Sequence, residues 1–305
     1  MTKKRYNTLN EWLKEKFGEK VFKVSIDAGF TCPNRDGTLG FDGCIFCSEK
    51  GSGDFAASGN NLKEQFYNGK TMMEKKWKKG LYIAYFQSFT NTYAPIEKLR
   101  EIYYSLLDEP RVVGIAIATR PDCLNEEVLE LLSEISKETF LWVELGLQTM
   151  HDETGEIINR GYDTIVYTKA VEELKRRDIL VVTHIILGLP GESTEEMLET
   201  VDFVVKSKVW GMKLHMLHVI KDTKLEKLYN EGTFKVFEKD EYVSLVVDVL
   251  ERIPEEIVIH RVTGDGARDS LIAPLWSMKK FELLNAIDDE FIKRSSCQGA
   301  LVKVV

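Results

Sequence analysis

Apolar residues recur along the chain in two rhythms. In 21–27, Phe22, Val24 and Ile26 alternate with Lys23, Ser25 and Asp27, the period of two that marks a strand with unlike faces. Runs rich in β-branched and aromatic residues at 81–87, 112–119, 141–147, 180–187, 212–218 and 256–260 predict further strands. Between them, apolar positions three and four apart predict helices at 61–78, 95–107, 125–136, 163–177, 193–207 and 238–252. Asn125 before Glu126 and Glu127, and Ser193 before Glu195 and Glu196, place a capping side chain and then acids at the positive end of a helix.

Strand and helix alternate through most of the length, which implies a parallel sheet with right-handed crossovers, either open and doubly wound or curled into a barrel. Strand parity chooses between them. Lys23, Ser25 and Asp27 share one face, as do Glu144, Gly146 and Gln148, and again Lys213 and His215. A sheet covered by helices on both sides needs apolar residues on both faces. A polar face on several strands suits an incomplete α/β barrel around a polar ligand, with its chemistry at the C-terminal strand ends. There the polar residues gather, from Asp27 through Gln87, Ser88, Thr119 and Gln148 to His184, His215, His218, His260 and Arg261.

Composition narrows the class. The 305 residues are 44% hydrophobic and 30% charged, which excludes fibrous, disordered and disulfide-stapled proteins. No run approaches the roughly 18 apolar residues of a membrane span, and the charged start lacks a signal-peptide core, so a cytoplasmic protein is expected. The net charge of −8 argues against indiscriminate binding to nucleic acid or membrane. Five cysteines change the picture most. Cys32, Cys44 and Cys47 fall in one glycine-rich loop after the first strand, whereas Cys123 and Cys297 stand alone. Three thiolates are one short of a closed zinc site, and a zinc completed from afar or unliganded cysteines are the plain alternatives. A [4Fe–4S] cluster on three cysteines fits the number better, since it leaves one iron open.

At this point the chain resembles a family. Cys44-Ile45-Phe46-Cys47, a C-x-aromatic-C pair in a loop after the first strand, is similar to the cluster motif of the radical S-adenosylmethionine (SAM) superfamily, although the eleven-residue gap after Cys32 departs from the commonest spacing. Thr119-Arg120-Pro121-Asp122, Val143–Thr149 (VELGLQT) and Leu187–Gly191 (LGLPG) resemble motifs of the branch that holds the radical SAM half of Elongator's catalytic subunit. The resemblance covers about residues 20–220. It implies a partial (β/α)6 TIM-like barrel over 21–220, preceded by a helical extension over 1–20 and followed by a C-terminal extension over 221–305 that closes or covers the barrel.

The resemblance further implies that Cys32, Cys44 and Cys47 hold the cluster, that its open iron binds SAM, and that SAM is cleaved to a 5′-deoxyadenosyl radical that takes hydrogen from the substrate. Phe46 then borders the adenine or simply packs. Gln87 and Ser88 stand where many relatives carry Gly-Gly-Glu for the methionine amine, with Gln87 or the backbone of the turn as its partner. Thr119 belongs to the motif after strand three. Glu144 and Gln148 point inward, toward the expected ribose and methionine carboxylate; the other reading of Glu144 is a buried carboxylate paired with a base such as Lys23 or Arg120. His184 is a ribose contact or a satisfied core histidine, and Gly188 allows close backbone approach. His215 and His218, three apart on a strand, face opposite ways, so at most one enters the barrel, and His215 is favoured. Cys123 is a redox or hydrogen-atom donor, or a small buried hydrophobe. Asn68-Gly-Lys-Thr71 is no phosphate loop, because Glu64 stands where glycine is required.

Lys75, Lys76, Lys78 and Lys79 around Trp77 form a basic segment in an acidic chain, either a solvated helix face or a local phosphate-binding surface. The family resemblance implies a tRNA substrate, with the carboxymethylaminomethyl group of the wobble uridine processed toward aminomethyl. It also implies a reductant such as flavodoxin or ferredoxin, and a methyltransferase acting next. Two other readings stay open: radical chemistry on a small molecule such as a porphyrin precursor, and a zinc-stabilised RNA-binding module without catalysis.

Overall fold

The computed structural model describes residues 4–49, 51, 59, 61–77, 79–264, 266 and 268–302. In chain order its strands are β1 (Val21–Ile26), β2 (Leu81–Phe86), β3 (Val112–Thr119), β4 (Phe140–Gln148), β5 (Leu180–Leu187), β6 (Gly211–Met216), β7 (Val219–Ile220), β8 (Val258–Arg261) and β9 (Leu271–Ala273). Seven of them form one parallel sheet in the order β1-β2-β3-β4-β5-β6-β8, curled into a half-barrel, while β7 and β9 pair antiparallel beside it. All seven strands read from alternation are present. The helices are α1 (Leu9–Phe17), α2 (Leu62–Glu74), α3 (Ile96–Leu107), α4 (Glu126–Glu138), α5 (Asp152–Ile157), α6 (Thr164–Arg176), α7 (Thr194–Lys206), α8 (Lys224–Asn230), α9 (Lys239–Arg252) and α10 (Lys280–Lys293). Asn125 caps α4 by accepting from the Val128 amide, and Ser193 and Glu196 form a reciprocal capping box on α7. None of the helices is long and apolar enough to cross a membrane.

Besides α1, three helices and the small antiparallel pair of β7 and β9 go beyond the alternation. α5 has six residues and α8 seven, too short to display a period. α10 does display one, burying Leu283, Ile287 and Phe291 at intervals of four. It packs on α9 outside the sheet, while β8 extends the sheet itself.

The two faces of the sheet explain where a site can form. Outward residues such as Val24, Ile26, Phe86, Ile117, Val143 and Leu214 pack under the helices in one continuous core. The inner face is divided along its depth. Near the N-terminal strand ends it is apolar: Ile83, Ala116, Trp142, Val182 and Val258 meet Leu9 and Leu13 of α1. Trp12, Phe140 and Trp210 join them, with Trp12 and Trp210 edge to face at 4.9 Å. α1 is therefore the plug of the half-barrel, fastened where Thr8 bridges Ile259. Each fully buried large side chain in this plug is worth about 1.5–3 kcal/mol. The polar half of the inner face is left toward the C-terminal ends.

β3 and β4 approach so closely that a Cβ on Gly114 would lie 2.3 Å from the Phe140 carbonyl oxygen. Gly114→Ala should therefore destabilise the protein by about 2 kcal/mol, seen as a lower urea midpoint with an unchanged slope. A midpoint equal to that of the wild type would show that the contact yields freely.

Candidate active site

The polar half of the inner face encloses a cavity of about 680 Å³, within the range of ligand sites. Its upper wall is the cysteine loop, which contributes Cys32, Cys44, Phe46 and Cys47; its floor comprises Lys23, Tyr85, Glu144, His184, Lys213 and Arg261.

The loop is stitched to the segment that follows β4. Asn34 Nδ2 donates to the carbonyls of Asn159 at 2.6 Å and Arg160 at 3.3 Å, Asn159 Nδ2 donates to the Gly43 carbonyl at 2.6 Å, and the Ile45 amide donates to the Ile158 carbonyl at 3.1 Å. Arg35 bonds the carbonyls of Cys47 and Ser48 at 2.8 and 2.7 Å. Gly43 has φ +69°, and a Cβ there would meet Arg35 Nε at 2.7 Å, so glycine is required. Two buried arginines lie beneath. Arg160, 1% exposed, donates to the carbonyls of Leu147 and Thr149 and pairs with Asp152 at 2.7 Å. Arg120 is forked onto Asp122 and donates to the Arg160 carbonyl at 2.9 Å. The motif that resembles TRPD thus acts here as a staple.

The donor set of this wall fits a metal cluster. All three thiols are free of disulfides and line one cavity. Burial, with Cys47 adjacent, pushes the Cys44 thiol up to about 12, and a thiol so placed ionises against a bound cation. Among the described residues no group of three or more His, Cys, Asp or Glu side chains converges to hold a single metal ion; the three cysteines share the lining of one cavity.

The floor is built around Glu144, 1% exposed. Its Oε1 accepts from Trp142 Nε1 at 2.8 Å. Its Oε2 accepts from Tyr85 Oη at 2.7 Å, from His184 Nε2 at 2.8 Å and from Lys213 Nζ. Lys213 also donates to Tyr85 Oη at 2.8 Å, and Lys23 Nζ lies 3.9 Å from Oε1. Burial alone would raise this carboxyl's pKa, but Lys213 and Lys23, aided by the His184 hydrogen bond, hold it well below the usual range. Burial and the Lys213 charge lower His184 to about 4, leaving it a neutral donor through Nε2. His215 stacks obliquely on His184 with ring centroids 5.1 Å apart, and its buried Nε2 has no partner among the described residues.

The structure places the sequence-predicted residues unevenly. Phe46, Gln87, Thr119, Glu144, Gln148, His184 and His215 line the cavity with the three cysteines. Gln148 does so across a bulge in β4, at φ +68°. Ser88, Gly188 and Cys123 do not. Ser88 is fully buried outside the cavity, and the Gly188 amide is spent on Met197 Sδ at 3.2 Å. Cys123 lines a separate hollow with Asp122 and Tyr93, where burial and Asp122 push its thiol up to about 12, unsuited to reactivity. The parity argument for the histidines is corrected: β6 ends at Met216, so strand alternation stops short of His218, and His215 and His218 both line the cavity. Glu144 does have a base beside it in Lys23, but its principal ion pair is Lys213, while Arg120 belongs to Asp122.

The basic segment is placed away from the cysteine loop. Lys75, Lys76, Trp77 and Lys79 lead into the first residue of β2, at the N-terminal end of the sheet, opposite to the cysteine loop that follows β1. Lys20 Nζ covers the Trp77 ring at 3.1 Å. Lys78 lies outside the described residues. Sequence reasoning missed Tyr85 and Asn34 and did not assign the partners of Arg160 or Lys213. For Tyr85 and Lys213 the signal was present, since inward parity puts both on the face of Glu144.

Comparison with known proteins follows the same lines. A family described as the radical SAM superfamily matches residues 31–204, and one described as the radical SAM C-terminal domain matches 209–293. The uncharacterized protein YtqA of Bacillus subtilis (strain 168) is 51% identical over 299 residues, covering 98% of this chain and 93% of its own. A tRNA uridine(34) acetyltransferase of Dehalococcoides mccartyi (strain CBDB1) is 28% identical over 172 residues, 53% of this chain and 37% of its own. Among solved structures, the archaeal Methanocaldococcus infernus Elp3 lacking its N-terminus shares the fold with a TM-score of 0.67 at 17% identity, over 91% of this chain and 64% of that one.

The floor generates a pH dependence. His184 is lowered from 6.5 to about 4 on folding, so between those values the unfolded chain binds a proton that the folded chain refuses. Stability is then lost as pH falls from 6.5 toward 4, by up to ~3 kcal/mol from this residue. His184→Gln should flatten the decline in urea-derived stability over that window. An unchanged slope would show that His184 titrates normally.

Proposed function

The chain belongs to the radical SAM superfamily, and from that membership we propose that Cys32, Cys44 and Cys47 hold its cluster and that its substrate is a modified wobble uridine of tRNA. Membership makes the protein an enzyme whose cofactors are a [4Fe–4S] cluster and S-adenosylmethionine. It overturns the alternative of a zinc-stabilised module without catalysis. Bound at the cysteine wall, the cofactors supply a radical able to abstract hydrogen, chemistry that no side chain provides.

The protein's part is to position and to shield. The stitched loop presents three thiols without needing to reorganise. Phe46, Gln87, Thr119 and Gln148 line the space between cysteines and floor, where SAM would lie, and the α1 plug keeps water out from below. The observation that carries the substrate reading is the partial match to a tRNA uridine(34) acetyltransferase. In support, the cavity lies toward the C-terminal ends of the strands, lined by residues of β1 to β6. We propose conversion of the carboxymethylaminomethyl side chain to aminomethyl, in which the N–CH2 carbon is oxidised by two electrons, SAM as the oxidant ending as methionine and 5′-deoxyadenosine, and water cleaves the C–N bond to release glyoxylate. A flavodoxin- or ferredoxin-type reductant would prime the cluster and a methyltransferase would act on the product.

Nucleoside mass spectrometry of tRNA from a strain lacking the gene tests this reading. Carboxymethylaminomethyluridine should accumulate and aminomethyl-derived nucleosides should vanish; an unchanged nucleoside profile would redirect the search to small-molecule substrates. The ligand assignment is tested separately. Reconstituted protein should carry about four irons per chain, and Cys47→Ala should lose nearly all of them along with dithionite-dependent release of 5′-deoxyadenosine.

A further inference from the structure

The floor of the cavity carries more positive charge than its carboxylate balances. Glu144 is the only acidic residue among the described residues lining the cavity. Lys213 is committed to it: its side chain is 3% exposed and held by both Glu144 and Tyr85. Lys23 is placed differently. Its Nζ stands 3.9 Å from Oε1, beyond hydrogen-bond reach, and its side chain keeps 24% exposure within the cavity lining, over the Tyr85 ring at 4.5 Å. Oε1 already accepts from Trp142. Burial lowers both lysines from their ordinary range, Glu144 opposes that shift, and the charge of Arg261, on the same lining, adds to it. One negative charge therefore serves two lysines, and the lysine that reaches toward the cavity is the one without a direct bond to it.

We propose that Lys23 is a specificity-determining residue that anchors a carboxylate at the leading end of the substrate. The assignment rests on the wobble-uridine reading for the identity of that substrate. A carboxymethylaminomethyl arm entering from the mouth carries its carboxylate foremost, and an ammonium at the floor completes a charge-assisted hydrogen bond that Glu144 leaves unmade. The aminomethyl product has no such group, and its own ammonium meets a positive floor, which favours release. The methionine carboxylate of SAM is the other source of the same chemistry, and the test separates the two.

Cluster-loaded protein with SAM, under argon and without reductant, is titrated with anticodon stem-loops carrying 5-carboxymethylaminomethyluridine or 5-aminomethyluridine at the wobble position. The wild type should prefer the carboxylate-bearing RNA by roughly tenfold or more. Lys23→Met should abolish that preference with the fold and SAM affinity retained, and Lys23→Arg should keep most of it. A preference that survives Lys23→Met, or a Lys23→Met defect that falls on SAM affinity, overturns the proposal. Iminodiacetate, which presents the N-carboxymethyl group without RNA, isolates the anchor. If it binds the wild type, fails to bind Lys23→Met, and neither stem-loop binds, the anchor stands and the tRNA reading falls. If it does not bind the wild type and the stem-loops are bound equally, the anchor falls.

Discussion

A single buried carboxylate organises the concave face of this protein. An ionised carboxylate away from water costs several kcal/mol unless it is paired and fully hydrogen-bonded. Glu144 meets that condition by drawing on several strands at once: Tyr85 from β2, Trp142 beside it on β4, His184 from β5, Lys213 from β6, and more distantly Lys23 from β1. All but Trp142 are far apart along the chain, and Tyr85 and Lys213, each two strands from Glu144, converge on it because the sheet curls. The curl and the carboxylate thus require each other. A flat sheet would leave Glu144 only its near neighbours Trp142 and His184 and carry Tyr85 and Lys213, each two strands away, further off, and an apolar residue in its place would leave Lys213 buried without a counter-charge, a loss of about 3–5 kcal/mol.

The wall above follows a different physical rule. The cysteine loop has little core of its own and is made rigid by backbone carbonyls, which Asn34, Arg35, Asn159, Arg120 and Arg160 collect. Guanidinium groups suit this task because each offers several donors in a fixed plane. The outcome is a loop whose geometry is set before any ligand arrives, as a site for a reactive cofactor demands. Floor and wall are then two preorganised surfaces facing each other across the cavity, one of ionic pairs and one of thiols.

Much of this was legible in the chain, and the limits have physical reasons. Alternation in β1 and β-rich runs in the others located every strand of the parallel sheet, because a strand with one polar face, or a buried one rich in β-branched residues, is marked directly in sequence. The inward parity of Glu144, Lys213 and His184 was equally readable, yet parity says which face a residue shares and not which neighbour it bonds. The pairing of Glu144 with Lys213 spans β5, since β4 and β6 are not neighbours, and depends on the curl that brings them together. Parity also fails where a strand ends, which is why His218 reaches the cavity with His215. Asn34 and Arg160 left no periodic trace, since their partners are carbonyls, which every residue has. The basic segment shows a topological limit: local charge is visible in sequence, but which end of the sheet it decorates follows from the strand it precedes.

That last point bears on how an acidic enzyme could select an anionic substrate. With a net charge of −8, the exterior offers a polyanion little general attraction, and attraction between exposed charges is screened beyond about 8–10 Å at ordinary ionic strength. The positive charges that matter are on the cavity floor, where low-dielectric walls preserve and focus their field. A ligand gains from them only after it has entered far enough to shed water. Discrimination on such a floor depends on the group at the tip of the entering ligand rather than on its phosphate backbone, so specificity and salt dependence become separable properties. In a protein that held its substrate chiefly through surface lysines the two would rise and fall together. On the proposed reading, the arrangement of Lys23, Glu144 and Lys213 would set them apart.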